Sequence, residues 1–268
     1  MKVSKRILGL VLLLVANITI GFAKEAVEMS GARQIFQKYK INGSILVYDQ
    51  NKNEYSGYNL ERCNIGFCPA STFKIPNTLI ALETGIITMD SIFHWNGEKR
   101  PFQVWESDMD IEHAFKVSNV PIYQDIARHI GLKRMQDYVR LLHFGAMDID
   151  KENLDKFWLE RDSKITQYQQ VYFLHRLYRS ELPLKTSTMD HVKQIMILEQ
   201  TDDYTLRGKT GWTEVNGKDI GWFVGYLETA DNVYSFATNI EPSGQTDMQN
   251  FGKDRIDLTK EILSLKMK

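Results

Sequence analysis

Cysteine is nearly absent from this sequence: Cys63 and Cys68 are the only two in 268 residues. Two thiols without a nearby histidine fall short of a four-ligand zinc site. Placed directly ahead of Pro69, they read equally as a small disulfide loop or as two free thiols, since closing so short a loop adds little stability. Histidine is also sparse. His94, His113, His129, His143, His175 and His191 are scattered with no His-Glu-x-x-His pair, so a metallo-hydrolase is disfavoured and no metal is expected. A Gly-x-Ser-x-Gly elbow is missing, which disfavours a Ser-His-Asp hydrolase. Neither sign of charge is in excess. The net charge is −1 with no basic run in the interior, which argues against nucleic acid as partner. Repeats, low-complexity tracts and Pro/Gly/Ser linkers are lacking as well. At 43% hydrophobic and 25% charged, the chain can bury one large core or two intimate ones.

Long apolar runs are confined to the start. "MKVSKRILGLVLLLVANITIGFA" has a basic opening (Lys2, Lys5, Arg6), an apolar stretch of about fifteen residues and a small-x-small end at Gly21-Phe22-Ala23. It reads as a secretory signal over residues 1–23, cut after Ala23, and predicts a periplasmic protein. The stretch is short for a bilayer span, which disfavours an uncleaved anchor and any stable membrane association after cleavage. No cysteine sits at the cleavage point to carry a lipid. Losing the three basic residues leaves a net charge of about −4.

The remainder, 24–268, predicts an α/β fold: a central antiparallel sheet flanked by helices, with a helical domain inserted. Residues 30–40 have helical spacing; 43–50 and "EYSGYNL" read as a hairpin. A helix follows Pro69 to about Leu82 and ends at Gly85. The middle is largely helical, with Gly131 and Gly145 as stops, through "QQVYFLHRLYRS" and "MDHVKQIMILEQ". Strands return at 204–212, 219–229 and 232–241, then an amphipathic helix from about Met248 to Leu265. The α/β part thus takes about 24–90 and 200–268, the helical part about 91–199. Active sites favour such seams.

Three short motifs carry the chemistry. In "PASTFKIPN" (69–77), Ser71 and Lys74 stand i, i+3, so the amine can reach the hydroxyl, while Pro69 puts Ser71 near the positive end of a helix dipole. Alone, this spacing is as easily a cap and a solvated lysine. Lys209-Thr210-Gly211, in a predicted strand and followed by Trp212, offers donors to a carboxylate, and Gly211 permits a close approach to the backbone. Ser118-Asn119-Val120 lies between them in the helical region.

Together these motifs resemble the serine β-lactamases and penicillin-binding proteins. The chain looks most like the class D (oxacillinase-type) β-lactamases, on "PASTFKIPN", "SNVPIYQDIARHIG", "KFWLE" (156–160), "GKTGW" (208–212) and "GWFVGYL" (221–227). Class A would have Ser-Asp-Asn at 118–120 and a Glu-x-x-Leu-Asn loop that is not found. Two positions depart from the family: Phe144-Gly145-Ala146 replaces the usual aromatic-Gly-Asn, and Arg161 stands where glycine is common.

The resemblance implies a mechanism and its residues. Lys74, in an apolar niche of Phe73, Val120, Trp158 and Leu159, would lose its charge, take up CO2 and become an N-carboxylated general base, with no other cofactor. Trp158 would donate its indole N–H to that carbamate. Ser71 would attack the lactam carbonyl, the backbone N–H groups of Ser71 and Trp212 would form the oxyanion hole, and Ser118 would relay a proton to the lactam nitrogen. Lys209, Thr210, Gly211 and Arg255 would bind the substrate carboxylate, Arg255 because it matches the family's position in "FGKDRIDLTKEIL". The same base would then activate the hydrolytic water. Homodimers occur in the family, although nothing in this sequence marks an interface.

Two alternatives acylate without turnover. A DD-peptidase would carry Ser-x-Asn where this chain has Ser-x-Val. A β-lactam-sensing domain would follow a long membrane region, whereas 23 residues precede this domain. The clustered acids of "MDIDKENLDKF" read as a solvated loop rather than paired catalytic carboxylates.

Overall fold

The computed structural model describes residues 26–160 and 162–267. The proposed signal and Arg161 lie outside them. No described helix is long and apolar enough to cross a membrane.

In chain order the elements are β1 (Val27–Glu28), α1 (Ala32–Tyr39), β2 (Ile41–Asp49), β3 (Glu54–Tyr58), α2 (Leu60–Cys63) and a 3-10 turn over Ala70–Phe73 that runs into α3 (Lys74–Glu83). Next come β4 (Ile92–Phe93), β5 (Met109–Asp110), α4 (Ile111–Lys116), α5 (Val120–Ile130) and α6 (Leu132–Leu142). A 3-10 turn at Phe157–Leu159 precedes α7 (Gln167–Tyr178) and α8 (Thr186–Ile195). β6 (Ile197–Gln200), β7 (Tyr204–Val215), β8 (Lys218–Thr229), β9 (Val233–Pro242) and α9 (Phe251–Ser264) complete the chain.

Seven strands form one sheet in the order β1-β3-β2-β9-β8-β7-β6. Every pairing is antiparallel except at one edge, where β1 runs parallel to β3. Strands from both ends of the chain meet where β2 pairs with β9 along its whole length, Ile41 opposite Pro242 through Asp49 opposite Tyr234. Side chains alternate across the sheet. Leu46, Trp222, Val224, Tyr226 and Ala237 face the core shared with α3 and α5–α8. Ile45, Val47, Phe223, Leu227, Phe236 and Ile240 face α1 and α9. Because β8 is covered on both faces, its residues Ile220–Leu227 read as an unbroken apolar run.

The predicted helices and late strands are present, with four differences. The segment after Pro69 opens as a 3-10 turn and becomes α-helical only at Lys74. Ile197–Gln200, expected to extend the helix before it, forms the edge strand β6 instead, anchored to β7 where the Gly208 N–H donates to the Met196 carbonyl at 2.9 Å. Strand β7 continues past Trp212 to Val215 and turns through Asn216 and Gly217, both at positive φ as a two-residue hairpin requires. The helical stretch also holds a small β4–β5 hairpin. The Cys63–Cys68 disulfide left open by the sequence is not formed: both thiols are free and buried. Their sulfurs serve different partners, Cys63 approaching the Ile45 carbonyl at 3.7 Å and Cys68 the Trp158 carbonyl at 3.1 Å. Burial pushes both thiols up, to about 12 for Cys63 and about 11 for Cys68.

Candidate active site

Ser71 lies in the 3-10 turn and Lys74 opens α3, one turn on. Lys74 Nζ donates to Ser71 Oγ at 3.1 Å, so the i, i+3 spacing does bring amine and hydroxyl together. Lys74 is 1% exposed. Nζ lies over the Tyr123 ring, 4.9 Å from its centroid, and Tyr123 is itself fixed by a 2.8 Å bond to Thr78. Burial alone lowers the Lys74 pKa to about 7. The neutral amine is thereby populated near neutral pH, unlike that of an exposed lysine.

The chain just before Ser71 is strained. Ala70 has φ +49, a left-handed conformation that costs a non-glycine residue about 1–2 kcal/mol. Ser118 shares this feature at φ +55. It sits in the turn between α4 and α5, within the helical region, and its neighbour Asn119 caps α5 by accepting from the Ile122 N–H at 3.2 Å. The turn presents Ser118 Oγ to Lys209 Nζ at 2.5 Å. Ser118 is thus joined to Lys209. Val120, the first residue of α5, is half-buried.

Strand β7 supplies the opposite wall. Lys209 is buried, and its pKa is pushed far down by burial and then by the charges of Lys74 and Arg255. Lys74 and Arg255 therefore lie close enough to Lys209 to disfavour a further ammonium there, a setting that suits an anion. Arg255 reaches from α9 to the Gly211 carbonyl at 2.7 Å, with burial lowering its pKa to about 10, and its Nε has no partner among the described residues. Gly211 also borders the protein's own Ser71 turn. A Cβ there would lie 3.1 Å from the Pro69 carbonyl and 3.2 Å from Thr72 Cγ2, so glycine lets β7 close on the Ser71 turn.

Backbone N–H groups alternate sides along a strand. Since the Gly208 N–H points toward β6, those of Thr210 and Trp212 fall on the same side, beyond the end of β6 and beside the Ser71 turn. The Trp212 indole turns outward. It is 41% exposed and donates to Asp219 Oδ1 at 2.5 Å, with Phe251 packed on its ring at 5.1 Å.

Trp158 is fully buried and stacks on Phe73 at 5.6 Å with 13° between the rings. Phe157 packs edge-on against both. The Trp158 Nε1–H has no acceptor among the described residues, an unmet donor beside the residue that precedes Lys74. At the departure Phe144-Gly145-Ala146, backbone bonds carry the loop. The Ala146 N–H donates to the Lys164 carbonyl at 2.8 Å and the Lys164 N–H returns at 2.7 Å.

Sequence reasoning missed Tyr123, which walls the amine. It also missed the buried glutamines of α7. Gln167 ties Ser44 to the Ala237 carbonyl, and Gln170 Nε2 donates to Thr72 Oγ1 at 2.8 Å. Their signal was polar residues on the core-facing stripe of a helix, a pattern easily read as a solvated face.

The family model of the penicillin binding protein transpeptidase domain matches residues 40–264. Beta-lactamase OXA-48 of Klebsiella pneumoniae is 39% identical over 220 residues, 82% of this chain and 83% of its own. The solved structure of FUS-1 (OXA-85), a class D β-lactamase from Fusobacterium nucleatum subsp. polymorphum, superposes with a TM-score of 0.83 at 42% identity, covering 88% of this chain and 97% of that one. Regulatory protein BlaR1 of Bacillus licheniformis is 33% identical over 90% of this chain but only 39% of its own length. Likeness of this extent, in sequence and in fold, makes the chain a member of the class D β-lactamases, serine enzymes within the transpeptidase family.

Proposed function

We propose that the enzyme hydrolyses the β-lactam ring of penicillin-type antibiotics through an acyl-enzyme on Ser71, with Lys74 as the residue that accepts the serine proton. The buried Lys74 amine, 3.1 Å from Ser71 Oγ and with a pKa of about 7, is the observation that carries this reading. With a pKa of about 7 the amine is unprotonated, and able to take a proton, in about half of the molecules at neutral pH, whereas an exposed lysine is neutral in only about one in a thousand.

In the first step Ser71 Oγ attacks the lactam carbonyl as its proton passes to the Lys74 side chain. The Ser71 and Trp212 N–H groups receive the developing oxyanion, each such donor typically contributing about 2.7–4 kcal/mol. Ser118, hydrogen-bonded to Lys209, delivers a proton to the departing lactam nitrogen. Lys209, Thr210 and Arg255 take the substrate carboxylate, which offsets the repulsion that Lys74 and Arg255 exert on a Lys209 ammonium. The proton that Lys74 took from Ser71 replaces the one Ser118 gave up, which frees Lys74 for the second step. There it takes a proton from water as the water attacks the ester, and the same oxyanion donors act again. The Ser71 Oγ–acyl bond breaks, and that proton returns to Ser71 Oγ.

We further propose that Lys74 works in its N-carboxylated form. Two features fit the group. A neutral primary amine is the form that combines with CO2, and the buried Trp158 Nε1–H lacks an acceptor that a carbamate oxygen would provide. When formed, a carbamate supplies an anionic general base in a pocket otherwise populated by cations. Residues 1–23 are proposed to export the chain to the periplasm, on their basic-apolar-small composition.

The similarity to BlaR1 favours one other reading, an acyl trap that does not turn over. Mass spectrometry of Ser71 after brief exposure to penicillin separates the two. A hydrolase shows an adduct that appears and is lost while penicillin is consumed many times over. A stable stoichiometric adduct would contradict the proposal.

A further inference from the structure

The Ser71 turn is held from below by a buried pair that lies outside the catalytic assignment. Thr72 Oγ1 donates to the Pro69 carbonyl at 2.7 Å, and the Thr72 N–H donates to the same carbonyl at 3.2 Å. The hydroxyl's one proton is thereby committed, so the oxygen can only accept from its other side. Gln170 Nε2 provides that donor at 2.8 Å from the first turn of α7. Both side chains are fully buried, which leaves no water to substitute for either bond. The opposite face of Thr72 is turned to the other wall: its Cγ2 would lie 3.2 Å from a Cβ on Gly211. Between Pro69 and Thr72 sits Ala70, whose left-handed backbone persists only if its surroundings enforce it.

We propose that Gln170 and Thr72 are positioning residues that set the distance between the Ser71 turn and strand β7, and so the width of the oxyanion pocket. The inference rests on the assignment of the Ser71 and Trp212 N–H groups as oxyanion donors. Gln170 fixes the Thr72 rotamer. Thr72 then clamps the turn at Pro69 through its hydroxyl and spaces it from Gly211 through its methyl. Loss of the clamp lets Ala70 relax and turns the Ser71 N–H away from the position the oxyanion will occupy. Losing one such donor outright typically costs about 10²–10³-fold in rate. A displaced donor should cost about 10–100-fold.

The test is a double-mutant cycle on the full chain, read as the rate of covalent acylation of Ser71 by a chromogenic cephalosporin. Gln170→Met keeps the volume without the donor, and Thr72→Val keeps the shape without the hydroxyl. Each should slow acylation about 10–100-fold with Kd for the substrate changed less than about threefold. The double variant should be no slower than the worse single one, because the two act as one unit. Thr72→Ser, which restores the hydroxyl, should recover more of the rate than Thr72→Val. Wild-type acylation by Gln170→Met, multiplicative losses in the double variant, or a loss confined to Kd would overturn the inference. If the wild-type chain acylates but never deacylates, the hydrolytic reading fails while this test still stands, since it reads only the first step.

Discussion

Titration through neutral pH perturbs the Lys74 amine, on which the proposed chemistry rests. With a pKa of about 7, this amine is unprotonated in about 90% of molecules at pH 8 and about 1% at pH 5. The acylation rate of Ser71 should therefore fall about a hundredfold between those values, at fixed dissolved CO2, with a midpoint near 7. The sign follows from the cause. Burial disfavours the ammonium, so the active form lies on the alkaline side. Stopped-flow acylation measured from pH 5 to 9 gives the profile, and Lys74→Met should abolish the pH-dependent limb together with at least about 10³-fold of the rate. A rate that stays flat down to pH 5, or a midpoint that remains above 9 as for an exposed lysine, would refute the reasoning.

The same burial makes Lys74 costly to the fold. It is protonated in the unfolded chain up to about pH 10.5 but unprotonated in the native protein above about 7, so on this group's account stability rises with pH across that window, and below it the cost is complete. Lys74→Met should raise Tm at pH 7 by about 2–8 °C in differential scanning calorimetry, with the gain shrinking toward pH 10; a lower Tm contradicts this. Gly211→Ala, whose Cβ would press on the Pro69 carbonyl, should widen the site and lower kcat/KM about 10–100-fold while the protein stays folded by circular dichroism. Arg255→Ala should raise KM about tenfold or more with a smaller change in kcat, since the guanidinium is placed to meet a carboxylate in ground and transition states alike. Because Lys209 is pushed down in the free enzyme and a bound carboxylate would draw it back up, KM should also climb as pH rises; a KM independent of pH over 6–9 argues against Lys209 as a carboxylate site.

The closeness of Ser71 and Lys74 and the general architecture were legible because local rules and the fold agree there. The helical spacing of Ser71 and Lys74 survives the change from a 3-10 turn to α-helix, since i, i+3 positions are neighbours in both. The apolar run at 220–227 forms the doubly covered strand its composition suggests. Legibility ended where long-range contacts decide. Ile197–Gln200 keeps the apolar spacing of the preceding helix, and only the free edge of β7 draws it into the sheet. The Asn216-Gly217 pair, in contrast, was a local hairpin signal available in the sequence and not used. Cys63 and Cys68 could not be resolved by spacing, because the deciding contacts are carbonyls at Ile45 and Trp158, distant in sequence. Gln170 was hidden for the same reason: its partner is 98 residues upstream.

The most direct measurement is carbon-13 NMR of active enzyme equilibrated with labelled bicarbonate at pH 8, followed alongside turnover. The account predicts one bound carbonyl resonance that is absent in Lys74→Met, fades as pH drops below 7, and weakens in Trp158→Phe, which keeps an aromatic ring beside Phe73 and removes the N–H donor together with part of the indole. Full hydrolytic activity with no such resonance, or a resonance that persists without the Lys74 amine, would contradict it.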